Sequence, residues 1–320
     1  MKNKNNKQDH QLLDINYSEL MDLRVDYAFK ITLTKGDSRL LISLLNAIFA
    51  NKNIPRVIKS LEIKDPHLKK ESDEDKLSIL DIRARLDDGT MVLIEMHMYG
   101  LDELKPKTIR SWARTFGKDL EAGDSYLEQP PTIAIAFTDG QVKSTEDVTQ
   151  SKADHSKIHK LCMIMDCEDS TIFTNAMELH YINMKAFAKV VNKAGRINID
   201  ETGEAMFAKW LSLITQKEIE DKTIIADICK EEEEIQMAVT TLARQGEDKY
   251  TRLAYQRRQD EIHFHNEKIA RYERQIEQEQ HRAEQEQRRA EQEQRRAEQA
   301  ESEIERLRRE IEELRASQKA

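Results

Sequence analysis

The sequence predicts an α/β domain followed by a long C-terminal helix. Strand-like runs interleave with segments in which apolar residues recur every three or four positions, as they do on one face of a helix. Val57–Ile63, the two halves of Leu77–Met98 and the apolar run Thr132–Phe137 are the predicted strands. From Ile262 onward a seven-residue repeat predicts a long helix. Interleaved strands and helices indicate an α/β core.

Length and charge limit the classes of function. The 320 residues suffice for one sizeable core with appendages or for two domains. The net charge of −9 divides into −4 over residues 1–230 and −5 over 231–320, so neither part is a basic block. A contact with nucleic acid therefore has to come from a local basic patch.

The same composition predicts where the protein works. No apolar run is long enough to span a bilayer, and the polar N-terminus lacks a signal-peptide core, so we expect no membrane partner. Cys162, Cys167 and Cys229 lack the spacing of a disulfide framework. A reducing, cytoplasmic location is the expectation.

The hairpin predicted within Leu77–Met98 brings two carboxylates together. Asp87-Asp88-Gly89 fits a three-residue loop in which glycine supplies a positive φ. That loop length places Leu86 opposite Thr90 and Asp81 opposite Glu95, with Cβ atoms roughly 5 Å apart. Two such carboxylates repel each other unless a cation lies between them or one takes up a proton. A two-residue loop would send them to opposite faces of the sheet.

The two faces of this hairpin differ in chemistry. One face is apolar and comprises Leu80, Ile82, Ala84, Leu86, Val92, Ile94 and Met96. The other is charged and comprises Asp81, Arg83, Arg85, Glu95 and His97. Two interpretations stand: a charged face that simply lies in water, or a site where the carboxylates hold a cation.

These motifs resemble the PD-(D/E)XK nuclease superfamily, in which an acidic residue, a short hairpin and Glu-X-Lys or Glu-X-Gln follow one another. Asp26-Tyr-Ala-Phe29-Lys30 and Ile94-Glu95-Met-His97 resemble one branch, the Rpn family of recombination-promoting nucleases, also described as PD-(D/E)XK transposases. The resemblance covers about residues 20–262 and includes a Tyr-x-x-Arg pattern within Asp248–Asp260. One departure is His97, where the family has Gln.

The resemblance implies a PD-(D/E)XK restriction-endonuclease-like core, with a mixed central sheet flanked by helices. It also implies a metal-dependent endonuclease that cuts double-stranded DNA with low sequence specificity and promotes recombination. Phosphodiester hydrolysis needs charge neutralisation and an activated water, which Mg²⁺ on one or two carboxylates supplies. Asp81 and Glu95 are the predicted ligands, with Mn²⁺ as a second possible ion. By resemblance, Asp26 is a further acidic residue that approaches the metal.

His97 lies two residues after Glu95 and so points to the same face of the strand. By resemblance it stands at the position that orients the attacking water. A neutral imidazole can accept a proton or bind a softer metal such as Mn²⁺. The alternative is that His97 marks a catalytically degenerate protein, a nuclease-fold DNA-binding or oligomerising scaffold.

A basic helix is predicted over Leu104–Gly123, with Pro106 near its start. Its expected apolar stripe comprises Ile109, Trp112, Ala113 and Phe116. Lys107, Arg110 and Arg114 are the candidate DNA-binding residues of this helix. The alternative is a surface helix whose basic residues form salt bridges.

Two other patterns carry competing interpretations. In a helix, Asp26 and Lys30 lie one turn apart and can form an ion pair instead of serving a site. The series His155-x3-His159-x2-Cys162-x4-Cys167 suggests zinc, but its spacing is irregular and Cys162 fits a core strand better.

The predicted domains are a disordered tail (1–16), a nuclease-like domain (17–230), a helical coiled-coil region (231–316) and a short tail (317–320). We expect one helix from about Glu231 to Arg315. Its heptad seam has Ile and Leu at both ends and Ala opposite Glu in the middle, which makes the middle weak. Homo-oligomerisation through this seam is expected, and a charged single helix is the alternative.

Overall fold

The computed structural model describes residues 15–65, 67–68, 78–79, 81–98, 101–118, 123, 125–142 and 158–317. The predicted disordered tail falls almost wholly outside these residues, as does His155. The chain divides into two compact units, one ending at His263 and one beginning at Phe264. The domain boundary predicted at residue 230 stays a prediction.

The first unit is built on a mixed sheet in the order β1-β4-β5-β6-β8-β7. Its strands are β1 (Leu61–Lys64), β4 (Ile82–Leu86), β5 (Met91–His97), β6 (Thr132–Thr138), β7 (His159–Met165) and β8 (Ile172–Asn183). The pairs β5–β6 and β6–β8 are parallel and the others antiparallel. A second sheet pairs β2 (His67–Leu68) with β3 (Ser78–Ile79).

Helices cover both faces of the sheet. The α-helices of the described residues are α1 (Asp26–Thr34), α2 (Ser38–Ala50), α3 (Leu101–Phe116), α4 (Met184–Ala194), α5 (Ile199–Thr202), α6 (Ala205–Ile214), α7 (Thr223–Glu231), α8 (Glu233–Glu247) and α9 (Lys249–Ser317), and α9 continues into the second unit. The predicted α/β fold is confirmed. Among the described residues, no helix combines the length and the apolar character that crossing a membrane requires.

The register of the central hairpin is the predicted one. Gly89 has φ +87°, and the amide of Leu86 donates to the carbonyl of Thr90 at 2.9 Å. Ile82 pairs with Ile94 and Arg83 with Leu93. Extending this register by one residue sets Asp81 opposite Glu95, because each pair sums to the same number.

Both faces of β5 are buried, whereas β4 keeps Arg85 exposed. The interpretation that places the charged face in water therefore does not hold for Glu95 and His97. Ile82, Val92 and Ile94 belong to the larger core, together with α1, α2 and the helices after β8. Leu93 lies in a smaller core on the other face, against α3. Since β5 is flanked by β4 and β6 and covered by α3, its charged residues cannot face bulk water.

Helix α3 departs from its prediction in its bounds and its buried face. It begins at Leu101, so Pro106 lies inside the helix and not at its start. The buried residues are Leu104, Thr108, Ser111 and Thr115, whereas Ile109 is 46% exposed. Small side chains on this face match Ala134 and Ala136 beneath it, and this allows a close approach that a stripe of large residues would prevent.

The first strand and the C-terminal helix also differ from expectation. β1 begins at Leu61, because the peptide of Ile58 is bonded on both sides by the side chain of Asn46 and is unavailable to a strand ladder. The single helix expected from Glu231 is instead two, α8 and α9, since Asp248 has an extended backbone with ψ 118°. In the second unit the heptad residues Tyr272 and Ile304 are about half exposed.

Candidate active site

A partly enclosed cavity of about 300 Å³ lies where β4 begins and β5 ends. It is lined by three carboxylates, Asp26, Asp81 and Glu95. It is also lined by three cationic side chains, Arg24, Lys107 and Arg258, and by His97. The structure therefore brings all four residues of the predicted catalytic set into one cavity.

Asp81 is held at the start of the hairpin, immediately before β4. Its Oδ2 accepts a hydrogen bond from the backbone amide of Met96 on the neighbouring strand. The pKa of Asp81 is raised to about 7, chiefly by burial and additionally by the negative charges of Asp26 and Glu95. The Met96 bond and the Lys107 charge oppose this rise in pKa without cancelling it.

Glu95 lies in the middle of the buried strand β5 and is only 7% exposed. Alternation along the strand points it to the same side as Leu93, toward α3. There the ammonium group of Lys107 forms an ion pair with Glu95 Oε1. Lys107 was predicted to contact DNA, and in this arrangement it neutralises a site carboxylate.

Asp26 is the first residue of α1 and pairs with Arg258, not with Lys30 one turn later. The Nε of Arg258 donates to both carboxylate oxygens at 2.8 Å, and its Nη2 lies 2.6 Å from Oδ2. The Asp26–Lys30 ion pair is thus replaced by a contact from a distant part of the sequence. Helical spacing predicts only neighbours on the same helix, so it could not indicate this partner.

His97 is the last residue of β5 and is 7% exposed. It lies on the Glu95 side of the strand and lines the cavity. Its carbonyl accepts a hydrogen bond from the amide of Asp139 at 3.3 Å, which ties the strand end to the turn after β6. Its catalytic role stays a prediction.

Arg110 and Arg114, the other candidate DNA-binding residues, do not line this cavity. Arg110 is exposed on α3 and Arg114 is half-buried, and both interact with other groups of the protein. The predicted basic patch is therefore divided, with Lys107 inside the cavity and the two arginines outside it.

Sequence reasoning missed two cationic residues of the cavity. Arg24 pairs with Asp22 at 2.7 Å and with Glu218 at 2.6 Å. Arg258 is the arginine of the Tyr-x-x-Arg pattern. The tyrosine of this pattern is Tyr255, which accepts a hydrogen bond from the amide of Asp22 at 3.0 Å. That pattern was the available signal for Arg258, but its partner could not be read from it.

The donor set of the cavity suits a hard divalent cation. Asp81 and Glu95 offer carboxylate oxygens, and Mg²⁺ is commonly held by one or two carboxylates together with water and substrate phosphate. Burial first, and nearby negative charge second, raise the pKa of Asp81, and a bound cation would counteract both effects. The fit rests on two carboxylates only, because no group of three or more His, Cys, Asp or Glu side chains arranged for a metal occurs among the described residues.

Among the described residues nothing supports the zinc interpretation, because His159 belongs to a different network. Asn51 Oδ1 accepts the amide of Glu204 at 2.8 Å, so its Nδ2 donates to His159 Nδ1 at 2.9 Å. His159 Nε2 then carries the proton and donates to Nδ1 of His180 at 2.9 Å. Both nitrogens of His159 are thereby occupied. Cys167 is exposed, beyond the end of β7.

The mixed sheet, with acidic residues gathered at the open end of its central hairpin, is that of an α/β protein whose cavity can hold a divalent cation. Residues 23–273 match the family described as PD-(D/E)XK nuclease family transposase. The chain therefore belongs to that family, and the predicted resemblance is confirmed. Neither the curated proteins nor the solved structures gave a match. Membership implies DNA as the class of substrate and divalent metals as the class of cofactor.

Proposed function

We propose that this protein is a metal-dependent DNA endonuclease that cleaves phosphodiester bonds with low sequence specificity and promotes recombination. The observation that carries the proposal is the convergence of Asp26, Asp81, Glu95 and His97 on one cavity at the end of the sheet. Residues from a helix and from both strands of a hairpin meet there, although more than fifty positions separate Asp26 from Asp81.

Asp81 and Glu95 would hold the cation, with Mg²⁺ as the expected ion and Mn²⁺ as a possible one. Bound there, the cation would neutralise the scissile phosphate and stabilise the leaving oxygen. The Met96 amide fixes one oxygen of Asp81 and so orients the other toward the cavity. Asp26, beside these two ligands, adds negative charge that favours a cation.

His97 takes the place of the residue that orients the attacking water. As a neutral imidazole it can accept a proton from that water, on the same face of β5 as Glu95. His97→Gln, which introduces the residue usual in the family, should preserve cleavage. His97→Ala, with neither a proton acceptor nor an amide, should reduce it.

The low sequence specificity follows from what contacts DNA. Lys107, Arg110 and Arg114 would bind phosphates, and phosphate contacts position a protein on DNA without reading its sequence. The chain carries no helix-turn-helix or zinc-finger signature that would add base contacts. Because the net charge is −9, these three basic residues, inside and outside the cavity, have to overcome a repulsive overall field.

Cleavage of supercoiled plasmid tests the proposal directly. The wild type and Asp81→Asn are each incubated with Mg²⁺, Mn²⁺ or EDTA. Asp87→Asn, an exposed aspartate in the same hairpin, is the matched control. We expect metal-dependent nicking by the wild type and the control, and a loss of roughly 100-fold or more in Asp81→Asn, the scale on which lost electrostatic stabilisation of a transition state acts. Equal nicking by Asp81→Asn would refute the proposed site.

A second candidate function is a DNA-binding protein of this fold that has lost catalysis. It is favoured by the ion pairs Lys107–Glu95 and Arg258–Asp26, which neutralise two of the three site carboxylates without a metal. Duplex binding without cleavage under any metal condition, by a folded wild type, would select this candidate.

We also propose that the second unit joins copies of this chain. Its apolar heptad residues Tyr272, Ile276, Ile304, Leu307 and Ile311 are 47–55% exposed. Such residues repeat along one seam of the helix, and pairing with another helix would bury them. A chain ending at His263 should have the mass of a monomer in solution while the full chain is larger. An identical oligomeric state of the two chains would exclude the seam.

The free cysteines accord with a cytoplasmic location.

A further inference from the structure

Arg258 reaches the cavity from the N-terminal part of α9, within the first unit. Tyr255, three residues earlier and 9% exposed, anchors this turn through its hydrogen bond with the Asp22 amide. Ile262, four residues later, packs against the main core and lines the same cavity. The helix is thus fixed on both sides of Arg258, and the guanidinium is presented to the cavity by a rigid element.

The two arginines of the cavity are held in different ways. Arg24 is 13% exposed and is bound by two acids, Asp22 and Glu218, which lie outside the cavity lining. Arg258 is 35% exposed and its principal partner is Asp26, itself a cavity carboxylate. A ligand entering the cavity can therefore compete for Arg258 in a way that it cannot for Arg24.

We propose that Arg258 is a phosphate-binding residue that rests on Asp26 until a divalent cation and DNA enter the cavity. This inference rests on the proposed nuclease function. A cation held by Asp81 and Glu95 competes with the guanidinium for the negative charge of the neighbouring Asp26. The released guanidinium then faces the phosphate, and its planar fork suits phosphate oxygens as well as it suits a carboxylate.

Glu261 supports this exchange of partners. Its Oε2 lies 2.7 Å from Nη1 of Arg258, one turn along the same helix. When the cation displaces the guanidinium from Asp26, this contact keeps the guanidinium near the cavity. Arg258 would therefore oppose cation binding in the free protein and favour DNA binding in the loaded one.

The two effects have opposite signs, and calorimetric titration with Ca²⁺ measures the first. The full chain is titrated without DNA, as the wild type, Arg258→Gln and Arg257→Gln. Arg257 is the exposed neighbour on the same helix, so its variant changes the net charge equally. We expect Arg258→Gln to bind Ca²⁺ roughly fivefold more tightly than the wild type, as suits loss of a partly exposed ion pair. The control should stay near the wild-type affinity.

Binding of a short DNA duplex in Ca²⁺ measures the second effect. Arg258→Gln should bind roughly tenfold more weakly than Arg257→Gln, and its salt dependence should fall by about one phosphate contact. Arg258→Lys, which keeps the charge but loses the fork, should bind Ca²⁺ like the wild type and DNA with intermediate affinity. If Arg258→Gln does not fold, Arg258→Lys alone provides the test through its DNA affinity.

Weaker or unchanged Ca²⁺ binding by a folded Arg258→Gln would overturn the inference, and so would DNA affinity equal to that of Arg257→Gln. If Arg258→Lys is the variant tested, wild-type DNA affinity would overturn it. These results differ from those expected if the proposed nuclease function is wrong. If it is wrong, the wild type itself would neither bind the divalent cation nor cleave plasmid.

Discussion

Replacing Asp81 by Asn should stabilise the folded protein, and the gain should grow with pH. The pKa of Asp81 is raised from 3.8 to about 7, chiefly by burial and further by Asp26 and Glu95. The folded state therefore keeps a proton that the unfolded chain has already lost. The contribution of this group to stability is fully present below pH 3.8 and is lost as the pH rises to about 7.

The magnitude follows from the shift in pKa. The rise of about three units corresponds to about 4 kcal/mol at 1.36 kcal/mol per unit. About 3 kcal/mol of this is lost between pH 5 and pH 7, a span of two units. Asparagine is close to isosteric and can still accept the Met96 amide, so Asp81→Asn removes the charge and leaves the contact.

Urea unfolding of the wild type, Asp81→Asn and the control Asp87→Asn at pH 5 and pH 8 measures this effect. We expect the free energy of unfolding of Asp81→Asn to exceed that of the wild type by about 3 kcal/mol more at pH 8 than at pH 5. Asp87 is exposed in the hairpin loop, so its variant should follow the wild type. A stability gap independent of pH would refute the argument from burial.

Added Mg²⁺ gives a second measure of the destabilisation caused by the buried negative charge of Asp81. At pH 8 it should raise the stability of the wild type, because a ligand that binds only the folded state stabilises it by mass action. It should have little effect on Asp81→Asn, which lacks the charge that attracts the ion. Stabilisation of both proteins to the same extent would place the cation elsewhere.

Three further predictions concern the framework of the site. Burial and the nearby His180 lower the pKa of His159 to about 2. Below pH 6.5 the unfolded chain therefore binds a proton at this histidine while the folded protein does not, and the free energy of unfolding falls. Between pH 6.5 and pH 5 the wild type should lose about 2 kcal/mol more than His159→Gln in urea unfolding, and parallel curves would contradict this. Asn46→Ala leaves the peptide of Ile58 without its two bonds, at 3.1 and 2.8 Å, and should lower the free energy of unfolding by about 1–3 kcal/mol, while an unchanged value would show that water replaces the side chain. Gly89→Ala places a Cβ at φ +87° and should destabilise the hairpin by about 1 kcal/mol, measured as a lower melting temperature, unless the loop changes its conformation and shifts the register.

The local geometry of the site could be predicted from the sequence. A three-residue loop with glycine at its third position fixes the register of the hairpin, and the register sets Asp81 opposite Glu95. The two-residue period of a strand then places His97 on the same face as Glu95. These are short-range constraints, so a few adjacent residues are enough to define them.

Tertiary structure alone decided how this charged face is used. The sequence left open whether it lies in water, and the answer depended on β6 and α3, which pack against β5 from later in the chain. The buried face of α3 was mispredicted for a related reason. Small residues are buried there because that side of the helix faces Ala134 and Ala136 of the sheet, and this is a property of the pair of surfaces and not of the helix alone.

The partners of the site carboxylates were likewise beyond the sequence. Arg258 reaches Asp26 across 232 positions, and the Tyr-x-x-Arg pattern that contains it has no periodic relation to the hairpin. Sequence periodicity reports which residues share a face within one element. Which faces meet, and hence which charges pair, depends on packing across the whole domain. The sequence therefore determined the pair of opposed carboxylates, and only the tertiary structure supplied the buried cavity and the cations around them.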